Sequence, residues 1–374
     1  MSAGFIPVCE PLLLGNELEY VTRAVANGWI SSAGSFVKEF ETKFAEHLGV
    51  AHAVTTSSGT AALHLALVAL GIGPGDEVIV PTFTMIASAA AVCYTGAKPV
   101  FVDCEIDTWN LDVSAVRAKI TPRTRAIMPV HIYGLPCDMD PLLEIAREHG
   151  LFVVEDAAEA IGSKYRDRPC GALGDVGCFS FFANKVITTG EGGMVVTNDA
   201  EIARKLRYYK NLCFPMEGPR RYVHEHIGFN YRMPNTAAAI GLAQLERVEE
   251  YVARRRRNAA AYNARLQGER GIRTPATRPW ATNSYWMYSI LVEDDFGRSR
   301  DEVMQELRAR DIETRSFFVP MHEQRSLVEY GCNVSGDYSR AEYVSRRGLY
   351  LPSGSGLTDA QIERVCRELL ALRR

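Results

Sequence analysis

The sequence predicts an α/β fold: a mostly parallel sheet flanked by helices, with a smaller C-terminal α+β domain. Short strand-like runs at 53–56, 77–81, 99–103, 126–130 and 151–155 are each separated by a stretch long enough for a helix, the pattern of parallel strands joined by crossovers. From about Pro275 this alternation stops and strand and helix signals mix. The chain has 374 residues, of which 47% are hydrophobic, enough for one large domain plus a smaller one. The expected division is 1–250, a large α/β domain that includes an N-terminal arm, and 251–374, a long linking helix with the small domain.

In chain order, Asn16 is placed to cap a helix over 17–27 that stops at Gly28. Trp29 to Gly34 reads as a loop, and a second helix follows in which Phe36, Phe40, Phe44 and Leu48 recur every four residues as one packed face. The strand and helix alternation then begins. A helix is predicted over 199–211, an irregular segment over 222–233, and one long helix capped by Asn235 that runs toward Leu266. A strand over 286–292, a helix over 300–310 and a final helix over 359–372 complete the chain.

Composition excludes several function classes. A net charge of −3 gives no field that would recruit nucleic acid, and the run Arg254-Arg255-Arg256-Arg257 reads as a solvated helix face. The apolar run from Met85 to Tyr94 is interrupted by Ser88 and is too short to span a bilayer. No charged segment followed by an apolar one opens the chain, so a soluble, cytoplasmic protein is expected. Nine scattered cysteines include no C-x-x-C pair, and His224 and His226 have no further ligands near them in sequence; neither disulfides nor a metal site is expected.

In open parallel sheets, ligands sit at the carboxyl ends of the strands, so the residues there carry the functional reading. After 53–56 comes Ser58-Gly59-Thr60, a small polar turn opening an apolar helix. Its free N–H groups can hold a phosphate, although an ordinary capped helix start looks the same. After 151–155 come Asp156 and Glu159; Asp156 can equally cap a following helix. Lys185 lies between an apolar run and a β-branched run, ahead of Gly190, Gly192 and Gly193. A buried amine must shift its pKa, find a partner or be consumed chemically, for instance by imine formation with a cofactor aldehyde. The alternative is a surface lysine on a turn. Together, a phosphate cradle, an acid and an amine match the phosphate, ring nitrogen and aldehyde of pyridoxal 5′-phosphate.

The quoted stretches, together with Ser180-Phe181-Phe182-Ala183-Asn184-Lys185 and Gly228-Phe229-Asn230-Tyr231-Arg232-Met233, resemble the nucleotide-sugar aminotransferases of the fold-type-I pyridoxal phosphate class along essentially the whole chain. The resemblance implies that Lys185 carries the Schiff base and Asp156 pairs with the pyridinium. It implies that Ser58, Gly59, Thr60 and Ser180 bind the phosphate, and that Met85 and Glu159 also contact the cofactor. Asn230 would reach the phosphate from a second subunit, in a homodimer with shared active sites. The cofactor would cycle through pyridoxamine 5′-phosphate, with L-glutamate leaving as 2-oxoglutarate and a nucleotide-linked ketosugar taking the amine.

Within the family, Gly28-Trp29-Ile30-Ser31-Ser32, Glu159, Glu313-Thr314-Arg315 and Pro320-Met321-His322 resemble most the members that aminate C4 of GDP-4-keto-6-deoxy-D-mannose. That resemblance places Trp29, Ser31, Arg315 and His322 toward the sugar nucleotide. Rival substrates are a GDP- or dTDP-linked 3-keto sugar, a UDP-linked 4-keto amino sugar or a cyclitol ketone. A 3-dehydratase is disfavoured because such relatives carry histidine where this chain has Lys185, and a non-catalytic sensor is disfavoured by the intact motif set. Three departures stand out: Met85 where an aromatic residue is usual, Ser316 where proline is expected, and Pro234 in place of a polar residue.

Overall fold

Seven strands form the central sheet of the computed structural model, which describes residues 4–216 and 222–374. The N-terminal region contributes α1 (Glu17–Ala26) and α2 (Ser35–Leu48), followed by β1 (His52–Thr56), α3 (Gly59–Ala69), β2 (Glu77–Pro81), α4 (Ile86–Tyr94) and β3 (Lys98–Val102). Then come β4 (Thr124–Ile127), α5 (Met139–His149), β5 (Phe152–Asp156), β6 (Val176–Ser180), β7 (Gly193–Thr197) and α6 (Ala200–Lys210). The spatial order is β1-β7-β6-β5-β4-β2-β3. Every neighbouring pair is parallel except those made by β7, which runs against both β1 and β6. The α/β fold expected from the sequence is the one observed.

The reversed strand brings two distant strand ends together. Gly193, at the start of β7, faces Thr56 on one side and Ser180 on the other, so the carboxyl ends of β1 and β6 meet around it. A side chain there would place its Cβ 2.4 Å from the Ser58 carbonyl oxygen and 2.7 Å from Thr56 Oγ1, so only glycine fits without moving the turn after β1. Below this edge, Phe40 and Phe44 of α2 are fully buried against Phe179 and Phe181, with ring centroids 5.1 to 5.5 Å apart across the helix–sheet contact. The four-residue apolar spacing of α2 therefore packs as read, under the strand that leads to Lys185.

Three local expectations are corrected. Asn16 makes no side-chain cap; its amide reaches Glu246 at 2.8 Å, and Glu17 accepts the Gly15 N–H instead. The expected single long helix is two, α7 (Asn235–Leu245) and α8 (Val248–Leu266), and Asn235 lies inside α7 with its amide donated to the Trp29 carbonyl. The arginine run on α8 is only partly a solvated face: Arg257 is exposed and Arg254 pairs with Glu250 at the surface. Arg255 is 2% exposed and donates to the carbonyls of Trp286 and Lys185, while Arg256 and Arg257 donate to those of Gly162 and Leu357. Guanidinium groups with several fixed donors can bind segment ends together this way.

Beyond α8, a four-stranded antiparallel sheet runs in the order Ile272–Arg273, Tyr288–Val292, Gly348–Leu351, Arg315–Ser316. Helices Arg300–Ala309 and Asp359–Leu370 cover it around a core that includes Ile290, Leu307, Leu349 and Leu369. No helix among the described residues is long and apolar enough to cross a membrane.

Candidate active site

A cavity of about 380 Å³ opens at the carboxyl edge of the central sheet. Ser58, Gly59 and Thr60 line it from the turn after β1, Asp156 from the end of β5 with Glu159 just beyond, and Ser180 from the end of β6 with Lys185 beyond it. Met85 and Arg315 complete the predicted residues on its wall, joined by Trp286 and Tyr350.

Lys185 lies in a tight turn in which its own N–H donates to the Phe182 carbonyl at 2.9 Å. The Asn184 carbonyl accepts from Trp286 Nε1 at 2.9 Å, and Arg255 donates to the Lys185 carbonyl at 3.4 Å. The turn is thus held from the C-terminal side of the chain. The lysine side chain is 11% exposed, with Nζ 3.9 Å from Glu159 Oε1 and 3.7 Å from the centroid of the Trp286 ring. Burial pushes the amine's pKa below the ordinary lysine value, while Glu159 and then Asp156 pull it back up. An amine biased toward its neutral form is a nucleophile.

Strand alternation separates the two consecutive acids of β5. Glu155 points away from the cavity, where it accepts from His131 Nε2 at 2.9 Å and from the N–H groups of Gly171, Leu173 and Gly174. The Cys137 N–H donates to the other histidine nitrogen, which leaves the proton on Nε2. Glu155 is therefore structural. Asp156 faces the cavity, receives a 2.7 Å hydrogen bond from Ser88 and a 3.2 Å one from the Ala158 N–H, and is followed by turns rather than by a helix to cap. Burial nevertheless raises its pKa, because those donors and Lys185 return less than desolvation removes. Glu159, held by the Tyr133 N–H at 2.7 Å, is pushed up by burial to about 7.

These residues fit pyridoxal phosphate on two independent observations. Ser58 Oγ accepts the Ala61 N–H at 3.1 Å and the Ser58 carbonyl accepts that of Ala62. The N–H groups of Gly59 and Thr60 take no acceptor among the described residues, an anion site at a helix start. A Cβ on residue 59 would lie 2.7 Å from Ser180 Cβ, so glycine is what lets the two segments close into a cradle. The second observation is Asp156, a buried carboxylate on the cavity wall fixed by Ser88 and the Ala158 N–H, a place for a ring N–H⁺.

Similarity to known proteins agrees with this chemistry. Residues 13–370 match the DegT/DnrJ/EryC1/StrS aminotransferase family. The chain belongs to that family. This aminotransferase is 50% identical over 366 residues to the GDP-perosamine synthase of Caulobacter vibrioides, covering 97% of each chain. It also resembles the solved structure of S. venezuelae DesV in complex with a ketimine intermediate, with 39% identity, a TM-score of 0.89 and coverage of 96% and 95%. The putative sugar aminotransferase Spr1654 of Streptococcus pneumoniae, solved in its PMP form, is 27% identical, with a TM-score of 0.92 and coverage of 98% and 97%. The aminotransferase is a pyridoxal phosphate-dependent sugar transaminase.

Four expected residues do not line the cavity within one chain. Trp29 is 59% exposed and, with Ser31, lies beside a separate cleft, where the two carbonyls accept from Asn235 at 2.6 and 3.0 Å. Asn230 is exposed and accepts from Arg232 Nε at 2.9 Å. His322 packs on the Tyr338 ring and bonds Thr82. Arg315 does reach the wall, half exposed. Sequence reasoning missed Ser88, Trp286 and Arg255. Only Ser88 left a signal, as the polar residue interrupting an apolar run.

Proposed function

We propose that in the cytoplasm the chain transfers an amino group from L-glutamate to C4 of GDP-4-keto-6-deoxy-D-mannose, producing GDP-perosamine. The observation that carries the chemistry is the neutral-biased Lys185 amine facing Asp156 and Glu159 beside the Gly59 helix start. Half of all positions shared with a GDP-perosamine synthase over nearly the full length supports the substrate. When bound, pyridoxal phosphate supplies a carbonyl that captures amines and a cationic ring that accepts electron density.

The protein's own groups do the rest. Gly59 and Thr60 N–H, with the Ser58 and Ser180 hydroxyls, hold the phosphate. Asp156, kept in place by Ser88, would hold the ring nitrogen in its protonated form by charge attraction. Met85, on the cavity wall, would offer its thioether to the ring. Lys185 would hold the cofactor through its carbonyl, and its amine is placed to move protons at the α-carbon of glutamate and at C4 of the sugar. Arg315, on the cavity wall, is suited to the diphosphate. Asn230, exposed in its own chain, is suited to completing the phosphate site of a second copy in a homodimer.

The test is an absorbance spectrum with pyridoxal phosphate, then glutamate, then a panel of 4-keto and 3-keto sugar nucleotides. The imine band should be lost with glutamate and restored by GDP-4-keto-6-deoxymannose alone. Restoration by a 3-keto sugar instead overturns the substrate assignment. Lys185→Ala should show no imine band with pyridoxal phosphate alone and no turnover, and full activity in that variant would remove the central claim.

A further inference from the structure

Where the C-terminal region meets the end of β2, a buried imidazole nitrogen lacks a hydrogen bond. The His322 side chain is 10% exposed, its Nδ1 lies 2.8 Å from Thr82 Oγ1, and its ring stacks on Tyr338 at 4.4 Å. The other nitrogen, Nε2, is buried without a hydrogen-bond partner. It lies 3.4 Å from Glu342 Oε1 and 4.0 Å from Glu323 Oε1. One ligand atom from each of His322, Glu323 and Glu342 lies within 4.8 Å of the others.

We propose that His322, Glu323 and Glu342 form a binding site for a first-row divalent cation of the zinc class. One imidazole nitrogen and two carboxylate oxygens form a donor set such ions accept, with water in the fourth position. Tetrahedral ligands at about 2.1 Å from the ion lie about 3.4 Å apart. The His322–Glu342 pair already has that spacing, and Glu323, 39% exposed, reaches it by a small side-chain rotation. Thr82 and Tyr338 fix the ring from behind, as outer partners of metal-bound histidines do. Arg346 holds the outward oxygen of Glu342 at 2.9 Å and reaches Glu323 at 4.0 Å, which leaves Glu342 Oε1 turned inward.

The rival reading is an imidazolium paired with Glu342 and no ion. It leaves Nε2 without a hydrogen bond where 3.4 Å would allow one, a cost that buried groups rarely bear. The ion would tie the C-terminal region to the cavity wall. The Met321 N–H donates to the Thr82 carbonyl at 2.7 Å, and Thr82 lies in the same short connection as Met85.

The experiment uses the full chain loaded with cofactor, treated with chelator and dialysed, then titrated with Zn²⁺ by calorimetry and with Co²⁺ by visible absorbance. One equivalent of Zn²⁺ should bind and raise the melting temperature. Glu342→Gln and Thr82→Val should each weaken binding about 10- to 100-fold, and His322→Asn should remove the Co²⁺ bands. If His322→Asn fails to fold, the half-exposed Glu342 variant decides. Absence of stoichiometric Zn²⁺ binding, or binding unchanged by Glu342→Gln, overturns the proposal in favour of the ion pair.

Discussion

Replacing Glu159 by glutamine removes one charge and almost no volume, so it isolates what that carboxylate does to Lys185. The two groups are 3.9 Å apart, and at an effective dielectric of 20 their attraction is about 4 kcal/mol. If screening halves it, about 2 kcal/mol remains, which is about 30-fold in the ratio of neutral to protonated amine. The sign follows from the opposing influences on Lys185: burial lowers its pKa and Glu159 is the largest group raising it, so the variant amine should be neutral at lower pH. Glutamine still offers an oxygen to the Tyr133 N–H, which preserves the local backbone. The assay labels the cofactor-free protein with a small neutral amine-reactive reagent and follows the Lys185 peptide by mass spectrometry against pH. The variant should react faster, most clearly above about pH 7 where Glu159 is ionised, with the gap closing on the acid side. Equal or slower labelling would refute Glu159 as the counter-charge.

Asp156→Ala should cut turnover by several orders of magnitude while the protein stays folded, and a loss under about tenfold would mean another group protonates the ring. Gly59→Ala places a Cβ 2.7 Å from Ser180 Cβ, an overpacking that costs about 1–3 kcal/mol. It should weaken retention of both pyridoxal phosphate and inorganic phosphate in equilibrium dialysis. Phe44→Ala empties a fully buried site between Phe40, Phe179 and Phe181. The expected loss is about 3–5 kcal/mol, read from the urea midpoint at constant m-value.

Much of this molecule is written locally. Strand and helix periods, the four-residue spacing of Phe36, Phe40, Phe44 and Leu48, and the small turn before α3 depend on neighbours in the chain, so they can be read without the fold. The cofactor residues were legible for the same reason: strand ends collect at one edge of a parallel sheet, and Ser58, Gly59, Thr60, Asp156 and Ser180 all lie at or just beyond such ends. The arginine run misled because its composition is that of a solvent face. Arg255 is buried against the carbonyls of residues 185 and 286, and Arg256 and Arg257 reach those of 162 and 357, which only folding brings to α8.

The residue types and their local spacing determined by themselves that this chain is an α/β protein with an amine, an acid and an anion cradle at strand ends. Tertiary structure decided which of two adjacent acids enters the cavity, because strand alternation sends Glu155 to His131 and Asp156 to Ser88. It also decided that Trp286 covers Lys185 from about 100 residues away and that His322 turns to Thr82 and not to the cavity. Contacts between distant segments depend on the register and packing of whole elements, and no short window of sequence contains either.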